Sequence, residues 1–197
     1  MTNKIKQWQR GQQVPTRGIL LVLHGPRRDT VVPPMTGMLT TEGKKASLKC
    51  CRLMRNKPPR RVYSSPVQRC MDTGQNIIQG AGWDLAVQGS EMLGDPGPFV
   101  IGKTNVLINE MVAYAQKNDD WSFLQNHIDG MEIPGMRHRK VGSDALVEAL
   151  YPTGDGFVLC VSHDSIIAAV QAAFGLESAS WPDPLNGCII ERKNNQI

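Results

Sequence analysis

What this 197-residue chain lacks narrows the field first. No stretch approaches the ~20 consecutive apolar residues that a membrane-spanning helix requires, and the polar opening, residues 1–17, holds no run long enough for a signal-peptide core. The five cysteines are odd in number and contain no C-x-x-C pair, so neither a zinc site nor a disulfide framework is indicated. Cys50 and Cys51 are adjacent and poorly placed to bond each other; free thiols in a reducing cytoplasm are the simplest account. Net charge is only +4, with the basic residues scattered, which argues against a nucleic-acid partner while permitting an acidic small substrate. No G-x-G-x-x-G follows the first apolar run, which disfavours a Rossmann-type nucleotide binder. There are no clustered carboxylates of a magnesium site, no internal repeat and no low-complexity tract. These readings lead to a cytoplasmic protein with no membrane segment, no metal and no cofactor.

What is present is an alternation of short apolar runs and helical segments. Ile19–Leu23, bounded by Gly18 and Gly25-Pro26, reads as a buried strand. A helix is expected from Thr40 or Thr41, with a threonine cap and Glu42 in its first turn, to about Arg55 before Pro58-Pro59. Arg60–Ser65 follows as a strand, then a helix from Pro66 capped by Ser65. Leu85–Val87 is a third candidate strand. Gly156–Ser162 is a second fully apolar run, followed by an apolar helix closed by Gly175, and Cys188–Glu191 is a final strand. This order implies an α/β fold: a three-layer α/β/α sandwich with a mainly parallel sheet. Residues 1–17 read as a flexible arm and 18–197 as one domain. The long polar excursion at about 95–150 reads as a helical lid that sets specificity.

In a parallel sheet the C-terminal strand ends gather on one edge, where ligands bind. His24, Ser64-Ser65, Asp95 and His163-Asp164 all fall just past an expected strand and should share one pocket. Arg27 and Arg28 beside His24 suit an anionic, phosphorylated substrate. His127 and His138 read as surface residues, and Trp83, Trp121, Phe123 and Trp181 as packing residues.

Four segments in order resemble the histidine phosphatase superfamily, the phosphoglycerate-mutase-like and histidine acid phosphatase group. Leu23-His24-Gly25-Pro26-Arg27 resembles its R-H-G-x-R motif, and Leu39-Thr40-Thr41-Glu42-Gly43 with Ala46 its L-T-x-x-G-x-x-x-A helix start. Val62-Tyr63-Ser64-Ser65-Pro66 with Arg69 and Thr73 resembles the S-S-P-x-x-R-x-x-x-T segment, and Val161-Ser162-His163-Asp164 the late H-D motif. The resemblance implies a phosphoglycerate-mutase-like fold and hydrolysis of a small phosphomonoester. His24 would be the nucleophile, accepting the phosphoryl group as a neutral imidazole. Gly25 would leave room for the phosphate, Arg27 and Arg69 would hold its oxygens with Arg28 in reserve, and His163 would donate to a phosphoryl oxygen. For the general acid three carboxylates stay open: Asp164, then Asp95, with Glu91 the spare; Asp164 also suits a helix cap. One departure stands out, since Leu23 occupies the position where the motif carries Arg. A phosphomutase with the same intermediate, or a non-catalytic member that binds phosphorylated ligands or a protein partner, fits the same residues. A homodimer is compatible with the sequence, which does not name the substrate.

Overall fold

The computed structural model describes residues 3–28, 37–50, 55–94, 97–102, 106–176 and 181–192. Its layers follow from strand alternation. In β2 (Arg17–Leu23), Ile19, Leu21 and Leu23 enter one apolar cluster, while Leu20 and Val22 enter another on the opposite face. In β5 (Gly156–Ser162), Val158 and Cys160 join the first cluster and Phe157, Leu159 and Val161 the second. A strand covered on both sides has no solvent-facing position for a polar residue, which is why both runs are apolar throughout.

β3 (Arg61–Ser64) and β4 (Val87–Gly89) extend the sheet beyond β5, and β6 (Gly187–Arg192) and β1 (Asn3–Trp8) extend it beyond β2, in the order β1-β6-β2-β5-β3-β4. β2, β5, β3 and β4 run parallel, whereas β6 is antiparallel to both β2 and β1. The Leu20/Val22 face is covered by α1 (Thr41–Cys50) and α2 (Gln68–Ala81), which contribute Cys50, Cys70, Ile77, Ile78 and Ala81. The other face is covered by α3 (Val106–Asn118), α4 (Ser122–Asp129), α5 (Arg139–Leu150) and α6 (Asp164–Ala173). The three-layer sandwich is therefore present.

Three local expectations are corrected, and a fourth, the end of the first helix, falls on residues that are not described. Residues 3–8 are not a loose arm: β1 pairs with β6 over its whole length and buries Trp8 to 1% exposure. Its polar composition is that of an edge strand, where every second side chain faces water. The third strand is Val87–Gly89 and shares only Val87 with the expected segment. α1 is described to Cys50, and residues 51–54 lie outside the described residues. Within the excursion read as a lid, Ile128 of α4 and Leu146, Val147 and Leu150 of α5 sit in the same cluster as Leu21 and Ile166. Those two helices are part of the sandwich layer, and α3, which buries only Ile108 and Ala115, is peripheral.

Candidate active site

Strands that run parallel end together, and the hydrogen-bond ladder carries on just past them. His24 N–H donates to Ser162 O (3.1 Å), Ser65 N–H to Val161 O (2.9 Å) and Ser90 N–H to Ser64 O (2.8 Å). These bonds bring the residues following β2, β3 and β5 to one edge. The imidazoles of His24 and His163 meet there edge to face, with centroids 5.7 Å apart and planes at 73°.

His24 is 6% exposed, and its Nδ1 lies 2.8 Å from Gly25 O. A carbonyl can only accept, so Nδ1 carries the proton and Nε2 the lone pair. Burial, reinforced by the positive charge of Arg69 and by His163, lowers its pKa to about 4; the Gly25 carbonyl and the charge of Asp164 act in the opposite sense. His24 is thus a neutral imidazole at pH 7.

The backbone around it is tightly built. Gly25 N–H donates to Thr73 Oγ1 (3.0 Å), and the same hydroxyl donates to Arg69 O (2.7 Å), tying the His24 turn to the first turns of α2. A Cβ at Gly25 would stand 2.7 Å from Ser47 Oγ, and one at Gly43 would stand 2.1 Å from Pro26 O. The glycines let the start of α1 press against the turn, where Thr40 N–H donates to Pro26 O (3.0 Å) and Thr40 Oγ1 caps the helix by accepting from Gly43 N–H (2.9 Å).

His163 is 1% exposed, its pKa lowered to about 3 by burial and then by the charges of Arg69 and Arg27. Arg69, 3% exposed, has Nη2 3.0 Å from His163 Nδ1, and Ser65 Oγ lies 2.9 Å from His163 Nε2. Cys70 Sγ approaches the same Nε2 at 3.7 Å. Arg27 is half-buried and forms an antiparallel bridge with Leu39. Arg28 is exposed, its backbone N–H donating to Met38 O (3.3 Å).

Asp164 opens α6, half-buried, with Oδ1 accepting from Ser165 N–H (2.8 Å). Glu91 is exposed at the start of a 3-10 turn, Glu91–Leu93. Asp95 lies outside the described residues. Leu23 is 4% exposed within the first apolar cluster. His24, Gly25, Arg69, His163 and Asp164 are thus brought together, and Arg27 is close enough for its charge to be felt at His163. Among the described residues no group of three or more His, Cys, Asp and Glu side chains could hold a metal ion.

Sequence reasoning missed two features. Ser65 does not cap α2 as expected: the helix begins at Gln68 after Val67, and the Ser65 hydroxyl, which accepts from Val67 N–H (3.3 Å), meets His163. His127, expected at the surface, is 3% exposed, with Nε2–H donating to Arg137 O (3.0 Å) and its ring edge-on to Phe99 at 5.1 Å. Its position on the buried side of the amphipathic α4 was the only signal.

The histidine phosphatase superfamily (branch 1) family model matches residues 19–190. No curated protein matches the chain. Among solved structures, phosphoglycerate mutase from Bacillus anthracis superposes with a TM-score of 0.61 at 12% identity, covering 90% of this chain and 88% of that one. The candidate phosphohistidine phosphatase SixA of Agrobacterium tumefaciens gives 0.52 at 14% identity, with 90% and 92% covered. A mycobacterial glucosyl-3-phosphoglycerate phosphatase gives 0.50 at 21% identity, with 81% and 79% covered. At these identities the likeness establishes the fold.

Proposed function

The chain belongs to the histidine phosphatase superfamily, and on that premise we propose that it hydrolyses small phosphomonoesters through a phosphohistidine on His24. The observation that carries this reading is the state of His24: Nδ1–H is held by Gly25 O at 2.8 Å, leaving the Nε2 lone pair available at neutral pH.

In the first step Nε2 attacks phosphorus in line, the N–P bond forms and the bond to the leaving oxygen breaks. Arg69, with Arg27, balances the charge on the equatorial oxygens; phosphoryl transfer is governed by such positioning and electrostatics. The leaving oxygen takes a proton from a carboxylic acid. Asp164 is our first assignment, because its charge is felt at His24, and Asp95 the second. Water then attacks the phosphohistidine, its proton passes to the resulting carboxylate, the N–P electrons return to Nε2, and inorganic phosphate leaves. No step requires a metal. The buried free thiols of Cys160 and Cys188 suit a reducing cytoplasm. Among the described residues no helix is long and apolar enough to cross a membrane.

A second reading has one observation in its favour. Leu23 is buried in the core where the motif carries Arg, so one guanidinium is absent from its usual position; a contact of that kind contributes about 2–4 kcal/mol to a transition state. On that reading the site binds phosphorylated ligands without turning them over. Phosphate release from a panel of phosphorylated metabolites, with His24→Ala as control, tests both. Turnover abolished in His24→Ala is expected; undiminished turnover rejects the phosphohistidine, and binding of inorganic phosphate with no release from any substrate favours the second reading.

A further inference from the structure

We infer that Ser65 is a positioning residue for Arg69, acting through His163: its hydroxyl oxygen accepts the imidazole's one N–H and so commits the opposite ring nitrogen to the guanidinium. What Arg69 then holds, a phosphoryl group, rests on the function proposed above; the chain of hydrogen bonds does not.

Donor and acceptor chemistry leaves one arrangement. A guanidinium has five N–H donors and no acceptor, so His163 Nδ1, 3.0 Å from Arg69 Nη2, must present a lone pair. A neutral imidazole has one proton, which therefore sits on Nε2, 2.9 Å from Ser65 Oγ. Cys70 Sγ, 3.7 Å from that nitrogen, is a much weaker acceptor. The imidazolium is disfavoured by burial and by the charges of Arg69 and Arg27. Ser65 and His163 are both buried, so no bulk water replaces a missing partner, and a buried N–H left unmet is destabilising.

The three groups come from three elements. Ser64 lies opposite Val161 in the β3–β5 ladder, so Ser65 arrives beside the Ser162-His163 turn, and Arg69 reaches in from the start of α2. The N–H of His163 is engaged by Ser65 and its lone pair by Arg69, so His163 orients the guanidinium.

The test is the tautomer of His163, read by long-range 1H–15N correlation on the full chain, with inorganic phosphate as probe. Wild type is expected as the Nε2–H tautomer. Ser65→Ala is expected to lose that single tautomer, to weaken phosphate binding, and to lower kcat/KM on an aryl phosphate by up to about 100-fold, as a misdirected binding group does. Ser65→Thr, which keeps the oxygen, is expected to recover the wild-type tautomer. An Nδ1–H tautomer in wild type overturns the inference, whether or not the variants fold; so does Ser65→Ala with wild-type tautomer and phosphate affinity. A protein that hydrolyses no phosphomonoester, yet has the Nε2–H tautomer and loses it in Ser65→Ala, refutes the phosphatase reading and leaves the role of Ser65 standing.

Discussion

Replacing Gly43 by alanine sets two physical expectations against each other. Gly43 lies in the first turn of α1, and helix propensity alone credits Gly→Ala with about 1 kcal/mol of stabilisation. The structure demands the opposite sign. The new Cβ would stand 2.1 Å from Pro26 O and 3.1 Å from Pro26 C, where ordinary contacts begin at about 3.4 Å, so helix and turn must separate by about 1 Å. Both partners are backbone, and neither can rotate away. Separation strains the Thr40 N–H bond to Pro26 O (3.0 Å), one residue beyond the Gly25 carbonyl that fixes the His24 tautomer. Overpacking of this kind costs about 1–3 kcal/mol, and a displacement of about 1 Å at a reacting group costs up to about 100-fold in rate. Urea unfolding monitored by circular dichroism measures the first, and kcat/KM on an aryl phosphate the second. Lys44→Ala, at the next and exposed position, is the control. A Gly43→Ala protein more stable than wild type, with unaltered kcat/KM, would refute the argument that close backbone approach holds the His24 turn.

Other perturbations probe other parts of the molecule. Trp8→Ala should destabilise the fold by about 3–5 kcal/mol, since Trp8 is 1% exposed and its indole N–H donates to Gln13 O; denaturant titration with an unchanged midpoint would mean that β1 does not hold in solution. Acidification should weaken the fold: the unfolded histidines protonate near pH 6.5, whereas folded His24 and His163 do so only near 4 and 3. Stability is therefore complete above pH 6.5 and declines below it, by about 3 kcal/mol for His24 by pH 4; a thermal midpoint constant from pH 7 to 4 contradicts this. Asp164→Asn should slow hydrolysis of alkyl phosphates by about 100-fold or more while sparing aryl phosphates with good leaving groups. Equal effects on both would move the acid's role to Asp95.

The parts of this architecture that were legible in sequence are those where local chemistry and burial agree. β2 and β5 are apolar at every interior position because both faces are covered, and the turns after them carry short-range constraints, such as Gly25 against Ser47 and Gly43 against Pro26, that leave little choice of residue. β1 was hidden because Lys4, Lys6 and Gln7 face outward, and only the pairing of Ile5 with Ile190 and Trp8 with Gly187 reveals a strand. α4 and α5 read in sequence as a polar cover because a helix that buries one stripe exposes more residues than it hides. The link from Ser65 to His163 spans 98 positions and depends on the register of β3 against β5, which no local pattern encodes.

β2 is clasped from both sides at its last residues. Leu23 exchanges backbone hydrogen bonds with Asn186 and Leu185, while the amide of His24 is bonded to Ser162. His24 is thus anchored at the end of a strand covered on both faces, where opening of the backbone is expected to need much of the free energy of global unfolding. Loss of activity on heating should therefore track loss of the entire fold.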